Sequence, residues 1–273
     1  MKIATINSIN IAYRDEGEGP PMLFIHAFPL HSASWERQIA AFLPHHRVIA
    51  PDLRGLGATA RGSGAASVDQ HADDLAALLG HLGIENATVV GLSLGGYISF
   101  ALWRRHRERI AALILADTRA GADAEEGQQG RAKNAKLAEE QGSGAIADQM
   151  LPKLLSPNAS AALRDQVRGL IESNDRVGIA AALRAMAARP DSTPLLATID
   201  VPTLVLVGAE DALTPPSEAE QMFDAIPGCR IAELPGAGHL SNLEAPEAFN
   251  AQVIEFLTPR QTFGIGGGGG GKW

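Results

Sequence analysis

The stretch Thr88-Val89-Val90-Gly91-Leu92-Ser93-Leu94-Gly95-Gly96-Tyr97-Ile98-Ser99-Phe100 changes its period in the middle. Before Gly91 it is a β-branched apolar run, the mark of a strand covered on both faces. From Leu94 to about Arg105 it reads as an apolar helix. A serine held on so sharp a strand-to-helix turn must take a strained backbone conformation, and its neighbours must be small enough to let the turn close. Gly91 and Gly95 meet that need. The turn lifts the Ser93 hydroxyl above the sheet and aims the following backbone N–H at the space in front of it.

Outward from this turn the chain alternates. Met22 to Ile25, Arg47 to Ala50, Ala112 to Leu115 and Thr203 to Val207 are short apolar runs, and a last strand spans Arg230 to Leu234. Helical segments lie between them: near Ser34 to Phe42, from the Ser67/Gln70 capping pair to about Leu82 with Gly83 closing it, and over Pro215 to Ile226 with Thr214 as its N-cap. A final helix covers Pro246 to Leu257. The N-terminus reads as an edge hairpin with Ile9, Ile11 and Tyr13 on one strand face. This rhythm predicts an α/β fold with a mostly parallel central sheet and helices on both faces. It breaks from about Ala122 to Ala188, where the pattern is helical throughout. The expected organisation is a core of residues 1–117 and 198–258 and a helical cap at 118–197. An insertion at the C-terminal end of a strand sits over the crevice where open α/β sheets bind ligands, which makes it a lid; a helical appendage packed away from any site is the duller alternative. From 259 to 273, six consecutive glycines followed by Lys272 and Trp273 read as a flexible tail, with docking of Phe263 and Trp273 on an apolar surface as the alternative.

Composition narrows the function. A net charge of -8 gives no bulk attraction to nucleic acid or anionic membranes. No apolar stretch reaches the roughly 18 residues of a membrane span, and the polar N-terminus lacks a signal peptide's apolar region, so a soluble cytoplasmic protein is expected. The single cysteine, Cys229, excludes an intramolecular disulfide and reads as a small core hydrophobe. No dinucleotide fingerprint, P-loop or metal-binding histidine pattern occurs, so no cofactor and no metal are indicated. The sequence is silent on oligomeric state.

A serine hydroxyl needs a base within hydrogen-bond reach. His239 follows the last strand in Pro235-Gly236-Ala237-Gly238-His239-Leu240, at the same sheet end as Ser93. Asp211 follows the preceding strand at that end and is the candidate acid to fix the histidine tautomer. Three loops thus bring Ser93, Asp211 and His239 to one edge, in the order Ser, Asp, His. Asp117, after the strand ending at Leu115, is an alternative acid. Asp52, with Arg54, reads as tying down a loop, and Glu210 as solvated or a partner behind the acid.

These blocks, together with His26-Ala27-Phe28-Pro29, Ala50-Pro51-Asp52-Leu53-Arg54-Gly55 and Gly238 to Glu244, resemble the α/β-hydrolase family from about Ile6 to Leu257. Within it the chain is similar to small serine esterases, perhydrolases and 3-oxoadipate enol-lactonase-like members; the run His239 to Phe249 leans toward the lactonases. The resemblance implies an oxyanion hole from the backbone N–H groups of Phe28 and Leu94, and a helical cap. Trp35, just after the Phe28 loop, is a candidate wall of the acyl pocket; packing beneath its own helix is the alternative. Two positions depart from the family pattern. Ala27 stands where Gly is usual and bears on the loop holding the Phe28 amide, and Leu56 stands where His is usual. The His26-Ala27-Phe28-Pro29 form favours a general ester hydrolase over an enol-lactonase.

The expected activity is therefore hydrolysis of small carboxylic esters without a cofactor. Lactone hydrolysis or perhydrolysis by the same site is the second reading. A ligand-binding protein that keeps the fold without turnover is the reading from another class.

Overall fold

The apolar runs become the middle of one sheet. In the computed structural model, which describes residues 1–63 and 66–258, eight strands form a single sheet in the order β1-β2-β4-β3-β5-β6-β7-β8. These are β1 (Lys2–Ile6), β2 (Ile9–Glu16), β3 (Pro21–Ile25), β4 (Arg47–Pro51), β5 (Ala87–Leu92), β6 (Ile110–Ala116), β7 (Thr203–Gly208) and β8 (Arg230–Leu234). The antiparallel hairpin β1–β2 sits at one edge, and β2 pairs antiparallel to β4; the other five pairings are parallel. Met22, Leu23, Phe24 and Ile25 are wholly inaccessible, as a strand covered on both faces must be.

The helices are α1 (Glu36–Phe42), α2 (Val68–His81), α3 (Leu94–His106), α4 (Glu125–Gln141), α5 (Ser143–Leu154), α6 (Ala161–Glu172), α7 (Arg176–Ala187), α8 (Pro216–Ala225), α9 (Ser241–Glu244) and α10 (Pro246–Leu257). α2 packs on α3, and α1 on α10, covering the two faces of the sheet. The Ser67 hydroxyl accepts from the Gln70 amide to open α2, and Gly83, at φ +68°, ends that segment in the left-handed conformation. The segment α4–α7 lies between β6 and β7 and packs on itself, α4 against α7 and α5 against α6. The predicted tail, 259–273, lies outside the described residues.

Several local expectations are corrected. The first helix opens as a 3-10 turn at Ser32–Trp35 before α1 begins at Glu36. Trp35 is completely buried, with Phe24 at 5.1 Å and Phe249 at 6.0 Å between ring centroids. It packs between the sheet and α10 instead of walling a pocket, because a large aromatic gains most where its whole surface leaves water. Thr214 is not the cap of α8; Pro215 holds that place without a side-chain bond. Arg54 pairs with Asp74 (2.8 Å), not Asp52. Asp52 does tie down loops, accepting from the amides of Ser32 (2.9 Å) and Ala58 (2.8 Å). Glu210 is exposed, and Cys229 is half-buried just before β8, where burial pushes its thiol up to about 11.

Among the described residues no helix is long and apolar enough to cross a membrane.

Candidate active site

Parallel strands point their C-terminal ends the same way, so the loops after β3, β5, β6, β7 and β8 meet along one edge. The turn after β5 is as tight as its sequence requires. Ser93 sits at φ +56°, a conformation that L-residues rarely adopt. A Cβ on Gly95 would lie 2.1 Å from the Ile25 carbonyl oxygen, and one on Gly91 2.4 Å from that of Gly95. Both atoms are backbone and cannot swing aside. The Thr118 hydroxyl donates to the Ser93 carbonyl (2.8 Å), and the Ser93 amide donates to Ala116 (2.9 Å), pinning the turn to β6.

His239 joins the other two predicted residues. Its Nε2 lies 2.8 Å from Ser93 Oγ and its Nδ1 2.8 Å from Asp211 Oδ2. Asp211 Oδ1 accepts from the amides of Leu213 (2.8 Å) and Thr214 (3.0 Å), and Oδ2 also accepts from the Thr214 hydroxyl (2.7 Å). A carboxylate only accepts, so Nδ1 of the imidazole carries the proton and Nε2 is left to accept from the serine hydroxyl. Burial works to raise Asp211, yet His239 and these donors outweigh it and hold the carboxyl below the usual range. Burial likewise works to lower His239, but the facing Asp211 holds it above its ordinary value. Both side chains are almost completely out of water, where such interactions are strongest.

The alternative acid goes elsewhere. Asp117 Oδ1 accepts from the Gly208 amide (2.8 Å) and Oδ2 from the Ser241 hydroxyl (2.5 Å), tying the ends of β6 and β7 to the His239 loop. Burial, reinforced by the nearby Asp211 charge, pushes its carboxyl up to about 7. Among the described residues it makes no hydrogen bond to His239.

The Phe28 loop is held by His26, whose ring is buried and whose Nε2 accepts from the Leu53 amide (3.0 Å) while Nδ1 donates to Ala27 O (2.9 Å). Burial lowers its pKa to about 4, so it stays neutral. The amides of Phe28 and Leu94 find no acceptor among the described residues; for Leu94 this follows from its place in the first turn of α3. Phe28, Ser93 and His239 line one cavity of about 300 Å³.

Sequence reasoning missed five contributors. Thr214 supports Asp211, but the motif Leu213-Thr214-Pro215 reads locally as a helix cap. Asn174, in the turn between α6 and α7, donates to Pro29 O (2.9 Å) and accepts from the Gly57 amide (2.6 Å), fastening the helical segment to two loops of the site. Arg119, Arg131 and Lys153 line the same cavity as Ser93. A helical period identifies α4 and α5 but does not reveal which of their polar residues face the strand ends.

A family model described as the alpha/beta hydrolase fold matches residues 20–246. The chain is 31% identical to 3-oxoadipate enol-lactonase 2 of Acinetobacter baylyi, over 90% of this chain and 91% of that protein. A thermophilic esterase from Thermogutta terrifontis superposes with a TM-score of 0.90 at 40% identity, covering 94% of this chain and 97% of that one. A bromoperoxidase from Bacillus anthracis gives a TM-score of 0.84 at 25% identity, covering 94% and 99%.

Proposed function

The chain belongs to the alpha/beta-hydrolase family, and on that premise we propose that it is a serine carboxylic-ester hydrolase acting through an acyl-enzyme on small esters. The observation that carries this reading is His239, 2.8 Å from Ser93 on one side and 2.8 Å from Asp211 on the other. Ser93 Oγ attacks the ester carbonyl carbon as its proton passes to His239 Nε2. Asp211 holds the ring and stabilises the imidazolium. The carbonyl oxygen, now an anion, lies against the amides of Leu94 and Phe28. When the tetrahedral adduct collapses, the C–O bond to the leaving group breaks and the imidazolium donates its proton to the departing alkoxide. Water, deprotonated by the neutral ring, then attacks the acyl carbonyl, and the free acid departs as Ser93 Oγ recovers its proton. Residues 118–197 act as the cap that closes the cavity over this chemistry.

The enol-lactonase relative favours a second reading, lactone hydrolysis, in which the same steps open a ring and the leaving alcohol stays attached to the acid. Perhydrolysis would use the same acyl-enzyme with peroxide in place of water. Ser93→Ala should abolish hydrolysis of a short-chain p-nitrophenyl ester and labelling by a fluorophosphonate. Full hydrolysis by that variant would sink the mechanism. The ratio of kcat/KM for a lactone and an open-chain ester separates the two substrate readings.

A further inference from the structure

The cavity that holds Ser93 is charged unevenly. Its lining includes Ser93, His239, Thr214 and Phe28 and, with them, Arg119, Asp123, Arg131 and Lys153. Asp123 is buried and is shared by three guanidiniums, those of Arg119 (2.5 Å), Arg131 and Arg189 (2.9 Å). Burial opposes ionisation of Asp123, but Arg189 and Arg131 outweigh it and hold the carboxyl far below the usual range. One carboxylate balances one of the three cations. Glu218, 3.9 Å from Arg119, offsets a second from outside the cavity lining. Asp191 acts on Arg189 from farther off, also outside the cavity lining, so the uncompensated charge is that of Lys153, which among the described residues has no ion pair or hydrogen bond. In a chain of net charge -8 this surplus is local to the cavity.

Arg131 is the side chain best placed to use it. Its Nε donates to Asp123, which fixes the plane of the guanidinium. Nη1 meets only the Met186 thioether (3.3 Å), a weak acceptor, and Nη2 meets no acceptor among the described residues. A guanidinium anchored along one edge and unsatisfied along the other suits bidentate recognition of a carboxylate. Low-dielectric walls strengthen that attraction. Arg189 is engaged differently: it lies over the Tyr97 ring at 4.0 Å and bonds the carbonyls of Met186 and Gly121.

We propose that the site selects esters carrying a second, free carboxylate, with Arg131 as the specificity-determining residue and Lys153 reinforcing it. This rests on the ester-hydrolase reading given above. The probes are monomethyl glutarate and dimethyl glutarate, which share an acyl chain and a leaving group and differ in charge. Turnover by the full-length enzyme should favour the monoester in kcat/KM. That preference should fall by about tenfold or more in Arg131→Gln, the scale of losing one charge-assisted hydrogen bond. Lys153→Glu should also lower it, and because this residue is exposed and unpaired the fold should survive the change. Equal or faster turnover of the diester by the wild type, or a preference untouched by either variant, would overturn the proposal. Calorimetric titration of Ser93→Ala with the two esters reads the same selectivity without chemistry. Selective binding of the monoester there, with no turnover by the wild type, would refute the hydrolase reading and leave this one standing; equal binding of both esters would refute this one.

Discussion

Asp211→Asn replaces one oxygen by an NH₂ group, and the surroundings dictate which. Oδ1 faces two backbone donors, the amides of Leu213 and Thr214. An NH₂ group there would set donor against donor twice, at about 1–3 kcal/mol for each buried group left unpaired. The amide oxygen must therefore keep that position, and the NH₂ group must take the place of Oδ2, against His239 Nδ1. A donor at Nδ1 forces the ring into the opposite tautomer, with its proton on Nε2 pointing at Ser93 Oγ, where it cannot accept the serine proton. The expected loss is about 10⁴-fold in kcat, the scale of a wrong-tautomer triad, or about 5 kcal/mol of transition-state stabilisation. Asp117→Asn is the matched control. Its oxygen can stay on the Gly208 amide and its NH₂ group can donate to the Ser241 hydroxyl, meeting a donor only in the more distant Ser241 amide (3.4 Å), so a loss of about tenfold or less is expected. The assay is steady-state hydrolysis of a p-nitrophenyl ester by both variants, with thermal melting to confirm that each is folded. A folded Asp117→Asn enzyme that loses thousands-fold while Asp211→Asn loses little would refute the assignment of the acid.

Two further outcomes follow from the same geometry. The base must be neutral, and Asp211 holds His239 above its ordinary value of 6.5 against the opposing effect of burial; kcat/KM should therefore fall as pH drops through a midpoint above 6.5. In Asp211→Asn the residual activity should show that limb moved toward acid, since burial then acts with less opposition; a limb that stays in place would count against His239 as the titrating group. Asn174→Ala should leave Pro29 O and the Gly57 amide without their partner, lower Tm by several degrees, on the scale of about 2–4 °C per kcal/mol for a chain this size, and reduce kcat more than it raises KM, because Pro29 adjoins the Phe28 amide. A lowered Tm with unchanged kcat would show that the Asn174 contacts are structural only.

Ser93, the proposed nucleophile, was legible because the turn that carries it is marked locally. Gly91 is required by the Gly95 carbonyl within the turn, and a strand-to-helix change of period marks the place in the sequence; Gly95 is required by the Ile25 carbonyl of β3, which only the fold brings there. The strands were legible for a similar reason, since runs such as Met22 to Ile25 have no polar residue to face water. Chain order brought Ser93, Asp211 and His239 to one sheet edge. It did not choose between Asp211 and Asp117, both of which follow a strand at that edge. That choice lies in which carboxylate oxygen reaches His239 Nδ1, and the partners of Asp117, Gly208 and Ser241, are remote in sequence. Thr214 shows the same limit: beside a proline it reads as a helix cap, but its hydroxyl serves Asp211. Trp35 had two local readings, and only the approach of Phe249 from the far end of the chain selected burial. Arg131 and Lys153 were visible only as polar positions on helices, because facing toward Ser93 or toward water is set by how α4, α5 and α7 pack. Backbone conformation and strand burial depend on residues a few positions apart and are written in the sequence. Hydrogen-bond partners and charge balance depend on segments that meet only after folding, so tertiary structure alone decided them.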